Sequence, residues 1–105
     1  MKKVSVIVPI FNVAAYIERC VRSLFGQTLA DVEFVFVDDC SPDESMQILQ
    51  TVLAAYPERR AMVKIVRHAE NLGLPAARNS GLAMAEGEYI FHFDSDDWAE
   101  PTLLE

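Results

Sequence analysis

The chain has 105 residues, 51% of them apolar, which suffices for one small domain with a real core and leaves no room for two. A formal net charge of −7 excludes the Lys/Arg stripe that a nucleic-acid backbone requires, so no nucleic-acid partner is expected. No stretch approaches the ~20 apolar residues of a membrane helix, and Cys20 and Cys40 are too few and too isolated for a disulfide framework or a zinc site. A reduced, cytoplasmic setting is the expectation.

Lys2-Lys3 ahead of Val4-Ser5-Val6-Ile7-Val8 has the outline of a signal peptide, but the apolar stretch ends at Pro9 with no small-residue cleavage site. A first strand from Lys3 to Ile10 is predicted instead. Ile17, Cys20, Val21, Leu24 and Phe25 then follow with the i, i+3, i+4, i+7, i+8 spacing of a helix that closes near Gly26. A second strand is expected from Val32 to Val37. Ser41-Pro42-Asp43-Glu44 reads as a capping box, with Ser41 at the N-cap, Pro42 at the first helical position and Glu44 at the third, which gives Ser41 a structural role. The helix it opens turns Met46, Leu49, Val52, Leu53 and Tyr56 inward and stops before Pro57.

A third strand is predicted from Met62 to Val66, and a loop through His68 and Gly73 leads to a helix from about Pro75 to Ala85. Ala76, Ala77, Ser80, Gly81 and Ala83 are small, which lets that helix lie close to a sheet or leaves space for a ligand. Gly87 ends a turn, and a fourth, buried strand from Tyr89 to Phe93 delivers Asp94-Ser95-Asp96-Asp97. His92 alternates with Phe91 and Phe93 and is expected to be packed or hydrogen-bonded there. Neither His68 nor His92 receives a catalytic role.

Strands alternating with helices imply an α/β fold, a Rossmann-like three-layer αβα arrangement with a mostly parallel sheet. Ligands of such sheets bind beyond the carboxyl ends of the strands, where the strand order reverses. Right-handed crossovers bring three unusual strand ends to one edge: Pro9-Ile10-Phe11-Asn12, Asp38-Asp39 and Asp94 to Asp97. Crowded carboxylates repel one another, and a divalent cation that prefers oxygen removes the cost. Magnesium or manganese suits such ligands and completes its shell with substrate phosphates, so a phosphate compound is the expected ligand. Capping of turns and helices is the alternative role for these aspartates. Phe11 either stacks on a flat base or plugs the top of the sheet. Arg78 is long enough to reach the site from a tightly packed helix.

Val6 to Asn12, Val37 to Asp43, Asn71-Leu72-Gly73 with Ala77-Arg78-Asn79-Ser80-Gly81, Gly87 to Ile90, and Phe93 to Asp97 together resemble the family 2 glycosyltransferases of GT-A fold. The five motifs cover nearly the whole chain in order and spacing. The resemblance implies inverting transfer from a nucleoside diphosphate sugar, most often UDP-linked, with Mg²⁺ or Mn²⁺ on the diphosphate. Pro9 and Phe11 would border the base, with Phe11 where the family often has Tyr. Asp39 would hydrogen-bond the base, and Asp38 would support it or the ribose. Asp94, Ser95 and Asp96 match Asp-x-Asp, with Asp96 the direct metal ligand and Asp94 nearer the ribose or the metal waters. Arg78 would approach the diphosphate, and Asp97 suits either the motif or a helix cap.

Family members resemble a two-part domain of more than twice this length. Residues 1–105 are therefore read as the N-terminal, nucleotide-sugar-binding portion, with the acceptor site and the catalytic base expected outside it. A base must reach the proton that it takes, and the carboxylates at this edge are committed to metal and nucleobase. No residue here is assigned as catalytic, and the acceptor, whether saccharide, lipid or protein, stays open. A phospho-receiver signalling domain is the alternative of another class, but its acidic pair would follow the first strand, where Pro9 to Asn12 stand. A nicotinamide dehydrogenase would carry Gly-x-Gly-x-x-Gly after that strand, and none is present.

Overall fold

The computed structural model describes residues 3–104. Four strands, β1 (Val4–Ile10), β2 (Val32–Asp38), β3 (Val63–Arg67) and β4 (Tyr89–His92), form one wholly parallel sheet in the order β3-β2-β1-β4. The chain winds outward from β1 through β2 to β3 and then crosses back to the far side of β1. The strand order thus reverses between β1 and β4, and a crevice opens beyond the strand ends at that point.

Helices α1 (Ile17–Phe25) and α2 (Ser45–Ala54) cover one face and α3 (Leu74–Met84) the other, giving three layers. Alternation along β1 divides its side chains between the two cores: Val4, Val6, Val8 and Ile10 meet α1 and α2, while Ile7 joins Val35, Val37 and Ala77 under α3. Both central strands are buried almost throughout, so they read in sequence as continuous apolar runs rather than as alternation. Phe25 meets Phe34 edge-on with ring centroids 5.2 Å apart, anchoring α1 to β2. On the opposite face the small residues of α3 permit a close approach. A Cβ at Gly81 would run into Ile7 Cγ2 and lie 3.2 Å from Val37 Cγ2.

The first and second strands and the first helix follow the predicted spans to within a residue, and β3 and α3 each shift by one. β4 departs from its expected burial. It pairs with β1 on one side only, and α3 lies over β1 and β2, so Ile90 and His92 on that face are exposed. His92 is consequently not the packed side chain that the alternation implied.

The capping box also fails. α2 starts at Ser45 with Glu44 at the N-cap, three residues later than the motif predicts. A carboxylate with four acceptor positions outcompetes a hydroxyl here. Asp43 Oδ1 accepts from Ser41 Oγ at 2.6 Å, Ser45 Oγ at 2.6 Å and the Ser45 amide at 3.0 Å, while Oδ2 accepts from the Ala14 amide at 3.0 Å. Ser41 keeps a structural role by another route, because its hydroxyl accepts from the Asn12 amide at 2.8 Å. Asp43 thus ties the turn after β2 to the turn after β1.

A 3-10 helix at Pro57–Met62, absent from the sequence expectation, buries Arg59. Its guanidinium donates to the Phe25 carbonyl at 3.1 Å and the Gln27 carbonyl at 2.6 Å, satisfying backbone at the end of α1.

At the opposite end of the sheet, buried Glu33 fixes the connection into β4. Its Oε2 accepts from Ser5 Oγ at 2.5 Å and from the Glu86 amide at 2.5 Å, and Lys64 Nζ stands 3.0 Å from Oε1. Ser5 Oγ in turn accepts from the Gly87 amide at 2.8 Å. A Cβ on Gly87 would fall 2.6 Å from that hydroxyl oxygen, so the crossing requires glycine.

Candidate functional site

Two tight turns shape the carboxyl edge of the sheet. Asn12 (φ 55°) after β1 and Cys40 (φ 57°) after β2 both adopt the left-handed conformation, which asparagine tolerates and cysteine rarely takes. Between these turns and the end of β4 lies an open cavity of about 500 Å³. Pro9, Ile10, Phe11 and Val13 line one side, Asp94, Ser95 and Asp96 another, and Asp39, Asn71, Gly73, Leu74, Ala77 and Arg78 close the third. Of the site residues expected from sequence, only Asp38 stays outside the lining; its Oδ1 accepts from the Ser41 amide at 2.9 Å and holds the turn that carries Asp39.

Phe11 is 44% exposed, so it is a wall of the cavity and not a plug. Asp39 is its chemical opposite, a carboxylate only 3% exposed. The Leu72 amide donates to its Oδ1 and the Gly73 amide to its Oδ2, each at 2.9 Å, at the start of α3 where backbone N–H groups and the helix dipole favour negative charge. His68 Nδ1 lies 2.8 Å from Oδ1, and His68 Nε2 lies 2.7 Å from Ser80 Oγ. Burial alone would raise the Asp39 pKa, but the bonds from His68, Leu72 and Gly73 outweigh it and hold the carboxyl below the usual range. His68 and Ser80, neither of them a predicted site residue, are brought to the site by the β3–α3 connection.

Across the cavity Arg78 Nη2 stands 3.5 Å from Asp94 Oδ1, while Arg78 Nε is buried without a hydrogen-bond partner among the described residues. A buried N–H with no acceptor is costly, and an anionic ligand would supply one. Asp94 and Asp96 are exposed at the rim and Ser95 is buried between them. Asp97 does not join them. Its side chain accepts from the Trp98 amide at 2.9 Å, and no helix follows for it to cap among the described residues.

Among the described residues no three His, Cys, Asp or Glu side chains converge as a ready-made metal site, which corrects the expectation of three clustered carboxylates. Two rim carboxylates facing an orphaned guanidinium N–H nevertheless fit magnesium or manganese, which commonly takes one or two carboxylates and fills its shell with water and substrate phosphate. Both cysteines are free thiols, and no helix among the described residues is long and apolar enough to cross a membrane.

Comparison with known proteins agrees with this geometry. The family model described as glycosyl transferase family 2 matches residues 5–105. The uncharacterized glycosyltransferase EpsJ of Bacillus subtilis (strain 168) is 40% identical over 102 residues, covering 97% of this chain and 28% of that protein. The crystal structure of S. aureus TarS 1-349 in complex with UDP superposes with a TM-score of 0.86 at 36% identity, covering 97% of this chain and 30% of that one. The mannosyltransferase PcManGT of Pyrobaculum calidifontis, in complex with GDP-Man and Mn²⁺, gives a TM-score of 0.85 at 28% identity over 91% of this chain and 28% of its own. The chain therefore spans less than a third of the length of these relatives. With a family match over nearly every residue and a parallel sheet that superposes on solved glycosyltransferases, the chain belongs to glycosyl transferase family 2.

Proposed function

We propose that this chain is the donor-binding portion of an inverting glycosyltransferase that uses a nucleoside diphosphate sugar, a UDP-sugar in the first instance, together with Mg²⁺ or Mn²⁺. The observation that carries the reading is one cavity holding an exposed aromatic face, a buried carboxylate and an arginine opposite two rim carboxylates. These groups meet the needs of a nucleobase, of its N–H or a ribose hydroxyl, and of a diphosphate with its cation. Relatives solved with UDP and with GDP-Man and Mn²⁺ support it.

Pro9 and Phe11 border the base, and Asp39 accepts a base N–H. Asp38 supports Asp39 through the turn. Ser95 and Asp94 lie toward the ribose, Asp96 is the direct metal ligand with Asp94 beside it, and Arg78 approaches the diphosphate. The cation, when bound, stabilises charge growing on the departing diphosphate as a Lewis acid. Arg78 adds to that stabilisation and satisfies its own buried Nε–H on the phosphate. No carboxylate of this edge is assigned as the base for the acceptor hydroxyl, so the chain by itself binds donor and transfers no sugar. The phospho-receiver alternative finds no support, because the carboxyl end of β1 carries Pro9 and Phe11 in place of its acidic pair.

Calorimetric titration of UDP in the presence of Mn²⁺ tests the reading. Saturable binding that Asp39→Asn weakens by about tenfold, the cost of one charge-assisted hydrogen bond, is expected. Absence of any heat of binding with metal, or an unchanged affinity in the variant, contradicts it.

A further inference from the structure

A carboxylate has about four acceptor positions, two on each oxygen. At Asp39 three of them are taken. Oδ1 receives the Leu72 amide and His68 Nδ1, and Oδ2 receives the Gly73 amide. One position on Oδ2 remains for the cavity that Asp39 lines. His68 and Ser80 do not line that cavity. They stand behind it, with the His68 side chain 8% exposed.

We propose that His68, braced by Ser80, is a positioning residue that locks the Asp39 carboxylate so that it offers the ligand one acceptor position for a single N–H. The inference rests on the donor-binding reading given above.

Three features of the chain carry it. A carboxylate can only accept, so the proton in the contact belongs to His68 Nδ1, and this fixes the ring orientation. In the neutral ring Nε2 is then an acceptor, and Ser80 Oγ donates to it at 2.7 Å. The Ser80 hydroxyl comes from α3 and the imidazole from the residue after β3, so the relay ties Asp39, just past β2, to both neighbouring elements. The His68 amide also donates to the Asp38 carbonyl at 2.8 Å, so ring and backbone are both anchored beside the carboxylate. Without the imidazole, the carboxylate would have a second free acceptor position, now on Oδ1, and only the Leu72 and Gly73 amides would hold its Cβ–Cγ torsion, which is intrinsically broad and two-fold. Discrimination depends on a single acceptor position held in one orientation. Uracil presents an N–H at N3, whereas cytosine presents a bare acceptor there, which a fixed carboxylate repels.

The test is titration of UDP and CDP in Mn²⁺ into the wild-type chain and into His68→Leu, His68→Asn and Ser80→Ala, with thermal unfolding recorded for each. The wild type is expected to prefer UDP. His68→Leu should lose about tenfold in UDP affinity, as for a hydrogen bond to a charged group, with much less change for CDP. His68→Asn, whose amide N–H can stand near the Nδ1 position, should recover most of the preference, and Ser80→Ala should fall between wild type and His68→Leu. Should His68→Leu fail to fold, the asparagine and alanine variants carry the same comparison.

Equal loss for UDP and CDP, or an unchanged UDP preference in His68→Leu and Ser80→Ala, assigns the relay to stability alone and overturns the proposal. Equal affinity of the wild type for the two nucleotides overturns it as well. Failure of the wild type to bind either one removes the donor-binding reading and this inference with it, an outcome distinct from the others.

Discussion

Asp39, Cys40 and Cys20 show how much depends on single positions around the crevice. Cys40 holds φ at 57°, a conformation that costs a residue with a Cβ about 1–2 kcal/mol and costs glycine almost nothing sterically. Cys40→Gly is therefore expected to raise stability by roughly 0.5–1 kcal/mol, after allowance for the added entropy of the unfolded chain, as read from urea denaturation. The two thiols should also react differently. Cys20 is fully buried, and burial together with nearby Asp97, Asp96 and Asp94 pushes its pKa up to about 12, whereas Cys40 is exposed. Iodoacetamide at neutral pH, followed by mass spectrometry, should modify Cys40 rapidly and Cys20 only after denaturation. Rapid labelling of Cys20 in the native chain would contradict the packing of α1. At this scale the sequence was informative where a residue type is unusual for its setting. Phe11, Asp39, Arg78 and Asp94 to Asp96 stand out as polar or aromatic groups at strand ends and on a small-residue helix, and all line one cavity. Ser41 and Asp43 were harder to separate, because a hydroxyl and a carboxylate two residues apart offer similar local turns, and the amides that place them, Asn12 for Ser41 and Ala14 for Asp43, are distant in sequence. His68 and Ser80 carried no local signal at all, since their partner arrives from another strand.

Helix α3 and strand β4 set the width of the crevice, and glycine governs both. Gly81 lets α3 sit directly on Ile7 and Val37, and Gly87 lets the crossover pass over Ser5. Gly81→Ala should lift α3 from the sheet and cost about 1–3 kcal/mol, as overpacking does in a well-packed interior. The same displacement moves Arg78 and the Leu72–Gly73 amides, so UDP affinity should fall together with the unfolding midpoint; loss of stability with unchanged binding would mean that α3 does not set the crevice. Helical spacing and apolar runs made the elements themselves legible. Burial of β4 was not, because an apolar run does not distinguish a strand covered on both faces from one at a sheet edge whose helix lies elsewhere. The 3-10 helix at Pro57–Met62 was missed for a related reason: Arg59 satisfies carbonyls some thirty residues earlier in the chain, and no local pattern announces that.

Across the whole molecule, three carboxylates anchor the long-range connections and make its stability depend on pH. Glu33, Asp39 and Asp43 are each pushed up by burial and then brought below their ordinary values by stronger hydrogen bonds, from Ser5, from His68, and from Ser41 and Ser45 respectively. A folded-state pKa below the unfolded value means that the unfolded chain binds more protons in the window between them. Their stabilisation is thus complete above about pH 5 and is lost as the pH falls through the folded values. Urea midpoints measured between pH 7 and pH 3 should fall with acidification, and Glu33→Gln should flatten that dependence while costing roughly 1–3 kcal/mol at neutral pH through weakened bonds from Ser5 and the Glu86 amide, Lys64 keeping Glu86 as its partner. A midpoint independent of pH would contradict the network.

The order β3-β2-β1-β4 follows from right-handed crossovers and the pairing of each strand with β1 or its neighbour, and it brings the chemistry of three strand ends to one crevice. That this crevice takes a nucleoside diphosphate with a divalent cation is tested most directly by two-dimensional NMR of the labelled chain with UDP and substoichiometric Mn²⁺. Paramagnetic broadening centred on Asp94 to Asp96 and reaching Arg78, with UDP-dependent shifts at Phe11 and Asp39, is the predicted result. Broadening centred instead on Glu33 and Glu86, or an absence of UDP-dependent shifts around the crevice, would contradict the account.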